Sequence, residues 1–74
     1  MRYGTFQEIA KMDLGVTGLR RTINDAHFEM VQNDDVMGWV ALGLDENGDV
    51  AQVDPLSERD AEQLGLIAKR FGGL

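Results

Sequence analysis

Gly15-Val16-Thr17-Gly18-Leu19-Arg20-Arg21-Thr22-Ile23-Asn24-Asp25-Ala26-His27-Phe28-Glu29-Met30-Val31-Gln32 is the stretch on which the fold turns. At helical spacing, Thr17 is a candidate N-cap, and Leu19, Ile23, Ala26 and Met30 recur at steps of four, three and four, as a core-facing helical stripe does. At a period of two, the segment from Ala26 onward is equally a strand with Phe28 and Met30 on one face. Asn24 and Asp25 are poor helix-interior residues, because their short polar side chains compete for backbone hydrogen bonds. The reading that respects both patterns is a helix over about 18–25 followed by a strand over about 27–32.

Toward the N-terminus, Thr5-Phe6-Gln7-Glu8 has the spacing of a capping box, in which hydroxyl and carboxylate satisfy each other's orphan amides. Phe6, Ile9, Ala10 and Leu14 then share one face, and Gly15 is a candidate C-cap, which predicts a helix over about 6–14. Toward the C-terminus, Asn33-Asp34-Asp35 is a turn signal, and Val36 to Leu44 has apolar residues on both faces, as a central strand does. Asp45-Glu46-Asn47-Gly48-Asp49 contains Asn-Gly, the dipeptide best suited to the positive φ angles of a tight hairpin. A partner strand over about 50–53 follows, ended by Asp54-Pro55, since proline has no amide for a ladder.

Ser57 is a candidate N-cap for a helix over about 58–71, with Leu56 as its hydrophobic staple. Glu58, Asp60 and Glu62 crowd the positive end of its dipole, while Lys69 and Arg70 sit at the negative end. Ala61, Leu64, Ala68 and Phe71, broadened by Ile67, give the buried stripe, and Gly72-Gly73 stops it. The expected fold is α+β: a single domain over 1–74 with two short N-terminal helices, a three-stranded antiparallel sheet and a C-terminal helix.

Seventy-four residues give room for one core, and 43% hydrophobic content is enough to form it. The absence of cysteine removes disulfides and thiolate-held zinc, so packing or self-association must supply the stability. It also fits a reducing compartment. No apolar run approaches the roughly 20 residues that span a bilayer, and no apolar signal-peptide core follows Met1-Arg2-Tyr3-Gly4-Thr5. The chain is expected to be soluble, unprocessed and cytoplasmic, with no membrane partner.

The net charge is −6, unevenly spread: residues 1–24 carry +2 and residues 25–74 carry −8. Such a field repels phosphate backbones, favours basic partners and leaves one basic segment near the N-terminus.

Residues 7–17 have the outline of the first helix and turn of a helix-turn-helix reader, which would aim Thr17, Arg20 and Arg21 at a DNA groove with the 36–53 hairpin as a wing. The spacing fails, because Ala10 precedes Gly15 by five residues where the motif has four. Asp45, Asn47 and Asp49 alternate like the first ligands of an EF-hand loop, but Val50 and Leu56 stand where that loop needs glycine and a bidentate acid. His27 is the sole histidine and would need carboxylates alone to complete a metal site. Ser57 fits an N-cap better than a nucleophile. Gly72-Gly73-Leu74 has the ending of a ubiquitin-like modifier, but directly after an expected helix the glycines fit a C-cap. No catalytic, cofactor or metal residues are assigned.

Interaction is indicated more positively. If the three helices cover one sheet face, the other presents Met37 and Trp39, rimmed by Asp34, Asp35, Asp45 and Glu46, as an aromatic anchor inside a polar rim. With Asp49, Asp54, Glu58, Asp60 and Glu62, these make the expected protein-binding set of a non-catalytic acidic module that occludes a basic protein surface and dimerises through its sheet. In size and charge alone, the chain is similar to phage and mobile-element inhibitors of host machinery such as anti-CRISPR proteins and DNA mimics. The alternatives are a small DNA-binding regulator that uses Arg20 and Arg21, and an ancillary subunit of a larger assembly.

Overall fold

The computed structural model describes residues 2–11 and 15–68. Its elements, in chain order, are β1 (Arg2–Tyr3), α1 (Phe6–Lys11), β2 (Gly15–Ile23), β3 (Ala26–Gln32), β4 (Val36–Leu44), β5 (Val50–Pro55) and α2 (Glu58–Gln63). The strands form one mixed sheet in which β2, β3, β4 and β5 run as an antiparallel meander. β1 lies parallel to the start of β4, on the side that β5 occupies further along.

The expected α+β arrangement is thereby corrected. The described chain is mostly sheet, with five strands and two six-residue helices, and 18–25 is not a helix. The cause lies at Asn24 and Asp25, whose φ angles are 49° and 66°. Positive φ at both centre residues makes a two-residue turn whose twist matches that of its flanking strands, and Asn and Asp tolerate that region better than other side chains. Ile23 pairs with Ala26 across this turn, and the ladder continues through Thr22↔His27 and Arg21↔Phe28. The residues that weaken a helix here are the ones that make a hairpin. The 4-3-4 apolar spacing does not make one buried stripe: Ile23 and Met30 pack against the core, but Leu19 and Ala26 are exposed.

The second hairpin is also built differently from its sequence reading. Only Gly48, of the Asn47-Gly48 pair, takes positive φ. The Gly48 amide donates to the Asp45 carbonyl and the Asp45 amide to the Asp49 carbonyl, a three-residue loop with glycine in the left-handed position. β5 extends past the expected 50–53 to Pro55, which tolerates an edge strand because its missing amide costs no ladder bond there.

Both helix starts are as expected. The Glu8 amide donates to Thr5 Oγ1 at 3.1 Å and the Thr5 amide to Glu8 Oε2 at 3.0 Å, while the Asp60 amide donates to Ser57 Oγ at 3.1 Å. Their ends differ. α1 is described to Lys11, and the rest of the expected 6–14 helix lies outside the described residues. α2 stops at Gln63, well short of the expected 71, because Gly65 adopts φ +77° and turns the chain. The Leu66 amide then donates to the Ala61 carbonyl and the Gly65 amide to Glu62, satisfying the last carbonyls and folding Leu66 over Ala61. Lys69, Arg70, Phe71 and Gly72-Gly73 lie outside the described residues.

Neighbours along a strand point to opposite faces, and paired residues share one. Val31, Gly38, Val40, Leu42 and Val53 are therefore on one face, and Phe28, Met30, Met37, Trp39 and Ala41 on the other. Trp39 is 2% exposed and its neighbour Val40 6%, so both faces are covered at the middle of β4. On the Val40 face, α1 lies close: a Cβ built on Gly38 would stand 2.6 Å from Ile9 Cδ1, which makes glycine the residue that admits the helix. Ala61 and Leu66 join the same core, with Leu56, Leu64 and Ile67 packed against it.

Candidate protein-binding surface

The structure disperses the expected acidic set. Asp34 and Asp35 form the β3–β4 turn, with Asn33 Oδ1 accepting the Asp35 and Val36 amides. Asp45, Glu46 and Asp49 lie at the other end of β4, about 27 Å away for a nine-residue strand. Asp54 is exposed on β5, where Gln52 Nε2 donates to its Oδ2 at 2.7 Å. Glu58, Asp60 and Glu62 belong to the first turns of α2.

Trp39 is not the exposed anchor expected of it. It is the largest fully buried side chain, and Met37 is half-buried against the same core. The indole Nε1 is buried without an acceptor among the described residues. The expectation required all helices on one face, whereas α1 alone already occupies the Val40 face.

What is open is the turn end of the β4–β5 hairpin. A six-residue helix is about 9 Å long and covers only part of a nine-residue strand. Beyond it, Leu44, Val50 and Val53 are 37%, 42% and 53% exposed. Leu44 pairs with Val50 and Leu42 with Val53, so these four share the Val40 face and form one apolar surface. Phe6 is exposed on α1, which packs beside β5. Asp45, Glu46 and Asp49 border the surface at the turn. Of the expected set, these three are brought together with an apolar patch. Leu44, Val50 and Val53 were missed because each sits on a strand that reads as core. The available signal was the mismatch between a long hairpin and the short helix preceding it.

The electrostatics of the region are simple. Asp45 Oδ1 accepts the Asn47 and Asp49 amides, both at 2.9 Å, so this carboxylate is committed to the turn. The EF-hand-like spacing is accounted for by that arrangement, and no group of three metal-ligating side chains occurs among the described residues. His27 is half-buried, with Nδ1 3.1 Å from Thr22 Oγ1.

The residues assigned to DNA are arranged as strand residues. Arg20 Nε donates to Oε1 of the buried Glu29 at 2.7 Å, and Arg21, its chain neighbour, points to the opposite face. Thr17 lies in a bulge of β2, donating from Oγ1 to the Met30 carbonyl and accepting the Leu19 amide. Among the described residues, 15–23 form a strand where the helix-turn-helix reading needs a recognition helix.

Two further groups are perturbed. Tyr3 is buried, and its hydroxyl accepts the Trp39 amide at 3.1 Å and donates to the Leu56 carbonyl at 3.0 Å. Burial pushes its pKa above the ordinary 10.0. Glu8 is held below the ordinary carboxylate value first by the side-chain hydrogen bond from Arg2, at 2.8 Å, and then by the Thr5 amide. Both stabilise the β1–α1 corner, away from the open end.

No helix among the described residues is long and apolar enough to cross a membrane. Comparison of the chain with protein-family models, with curated proteins and with solved structures gives no significant match.

Proposed function

We propose that this chain is a non-catalytic, acidic protein-binding module that docks through the open end of the β4–β5 hairpin on an apolar protein surface with a basic rim, and acts by covering it. The observation that supports this reading is the coincidence of Leu44, Val50 and Val53, all exposed on one face, with Asp45, Glu46 and Asp49 at its border. Apolar area supplies the affinity of such an interface, while the charged border selects the partner and speeds encounter. The net charge of −6 extends the same preference over the molecule.

The experiment is matched capture from a cell extract with the wild-type chain, Val53→Asp and Glu46→Lys, after melting curves confirm that both variants fold. The reading requires a protein retained by the wild type and lost with both variants, whose purified form then binds the chain less tightly as salt rises. Equal retention by all three chains, or binding indifferent to salt, would contradict it.

A further inference from the structure

The two edges of the sheet carry opposite charge in the same row. Arg21 pairs with Phe28, Phe28 with Ala41 and Ala41 with Asp54, so Arg21 and Asp54 stand at the two ends of one cross-strand row and on one face. In the adjacent row Thr22, His27, Leu42 and Val53 are aligned in the same way. No strand covers the outer side of β2 or of β5 among the described residues.

The backbone is arranged to continue. The Asn33 amide donates to the Val36 carbonyl, and the Gly4 and Leu56 amides donate to the Met37 and Trp39 carbonyls. Since amide direction alternates along a strand, Phe28 and Arg21 bond each other, as do Ala41 and Asp54. The amides and carbonyls of Thr22 and Val53 therefore point out of the two edges. Both edges are bulged elsewhere, β2 between Val16 and Arg20 and β5 opposite Gly43 and Leu44, and Pro55 offers no outward amide at the end of β5, so the regular stretch left to pair is the short one centred on Thr22 and Val53. β2 and β5 are antiparallel to each other in the meander, so a copy displaced along the sheet presents β2 to β5 in antiparallel sense.

We infer that the chain self-associates head to tail, β2 of one copy adding to β5 of the next. Thr22 then exchanges both backbone hydrogen bonds with Val53, and Arg21 faces Asp54 in the neighbouring pair, where side chains approach more closely. The charge pattern selects this arrangement over the symmetric ones. A two-fold pairing of β2 with β2 centred near Thr22 brings Arg21 within two positions of the copy's Arg21, and one of β5 with β5 centred near Val53 does the same with Asp54, so both set like charges near each other. A head-to-tail contact does not close on itself, so it makes open chains of copies and not a dimer. This inference does not rest on the proposed partner docking, because it uses the edges and not the apolar face.

Sedimentation velocity over a wide concentration range tests it. The weight-average mass is expected to rise past that of a dimer without a plateau, and to fall as salt is added. Arg21→Glu and Asp54→Lys should each weaken association about tenfold, and an equimolar mixture of the two should recover it, because in alternating copies Arg21 meets Asp54 at one contact and the introduced glutamate meets the introduced lysine at the next. Arg59→Glu, which changes net charge as Arg21→Glu does but lies on α2, should have a much smaller effect. Circular dichroism of each variant verifies the fold. A monomer at every concentration, a mass that stops at a dimer, an equal effect of Arg59→Glu, or no recovery on mixing would overturn the inference.

Discussion

Tyr3 shows how much of this small sheet hangs on single polar atoms. Its hydroxyl joins the Trp39 amide to the Leu56 carbonyl, groups 36 and 53 residues away along the chain. Tyr3→Phe leaves both without that partner and is expected to cost about 1–3 kcal/mol in chemical denaturation. Because its folded pKa is raised, the stability it contributes is complete below the ordinary 10.0 and is lost as pH rises through the folded value. The wild type should therefore lose stability on the alkaline side of pH 10.0, and Tyr3→Phe should flatten that limb. Glu8 has the opposite sign. Its lowered pKa contributes stability that is present above the ordinary carboxylate value and lost as pH falls through the folded one, so Arg2→Ala should reduce the acid sensitivity of the melting temperature. The partners of Glu8 at Thr5 were legible in the sequence, because a capping box is a local pattern. Those of Tyr3 were not, because nothing local encodes a bond across 53 residues.

At the scale of elements, legibility followed burial. β4 was readable to the residue because both its faces are packed from Val36 to Leu42, which forces apolar side chains along that stretch. β3 was readable nearly as well. β2 was not, because eight of its nine residues are exposed and a strand with no buried face leaves no alternation to detect. The turn that makes it a strand, Asn24-Asp25, was visible only as weak helix. Asp25→Gly discriminates between the two readings: glycine relieves the positive φ and should stabilise the hairpin by about 0.5–1 kcal/mol, whereas in a helix it would destabilise by a similar amount. The close seat of α1 on the sheet makes a second expectation. Gly38→Ala drives a methyl into Ile9 and should cost about 1–3 kcal/mol, and the same substitution in an Ile9→Ala background should cost clearly less, as denaturation of the double-mutant cycle would read directly.

For the whole molecule, the charge asymmetry of the sequence acquires a direction. The basic first third of the chain ends in β2 at one edge, and the acidic remainder supplies β5 and its turn at the other. The imbalance was legible from composition, but its geometry was not, since it depends on which strands become edges. The acidic turn is exposed, whereas Trp39, expected on an open face, is buried, because a lone tryptophan on a doubly apolar strand gives no sign of what will cover it. The open apolar end and the opposed edges both exist only if residues 15–32 form a hairpin. The most direct measurement is the nuclear Overhauser effect between the α-protons of Thr22 and His27, a non-hydrogen-bonded pair whose Cα atoms approach to about 4.5 Å. A strong cross-strand signal is expected there. Continuous sequential amide–amide contacts through residues 18–25, with no Thr22–His27 contact, would contradict it.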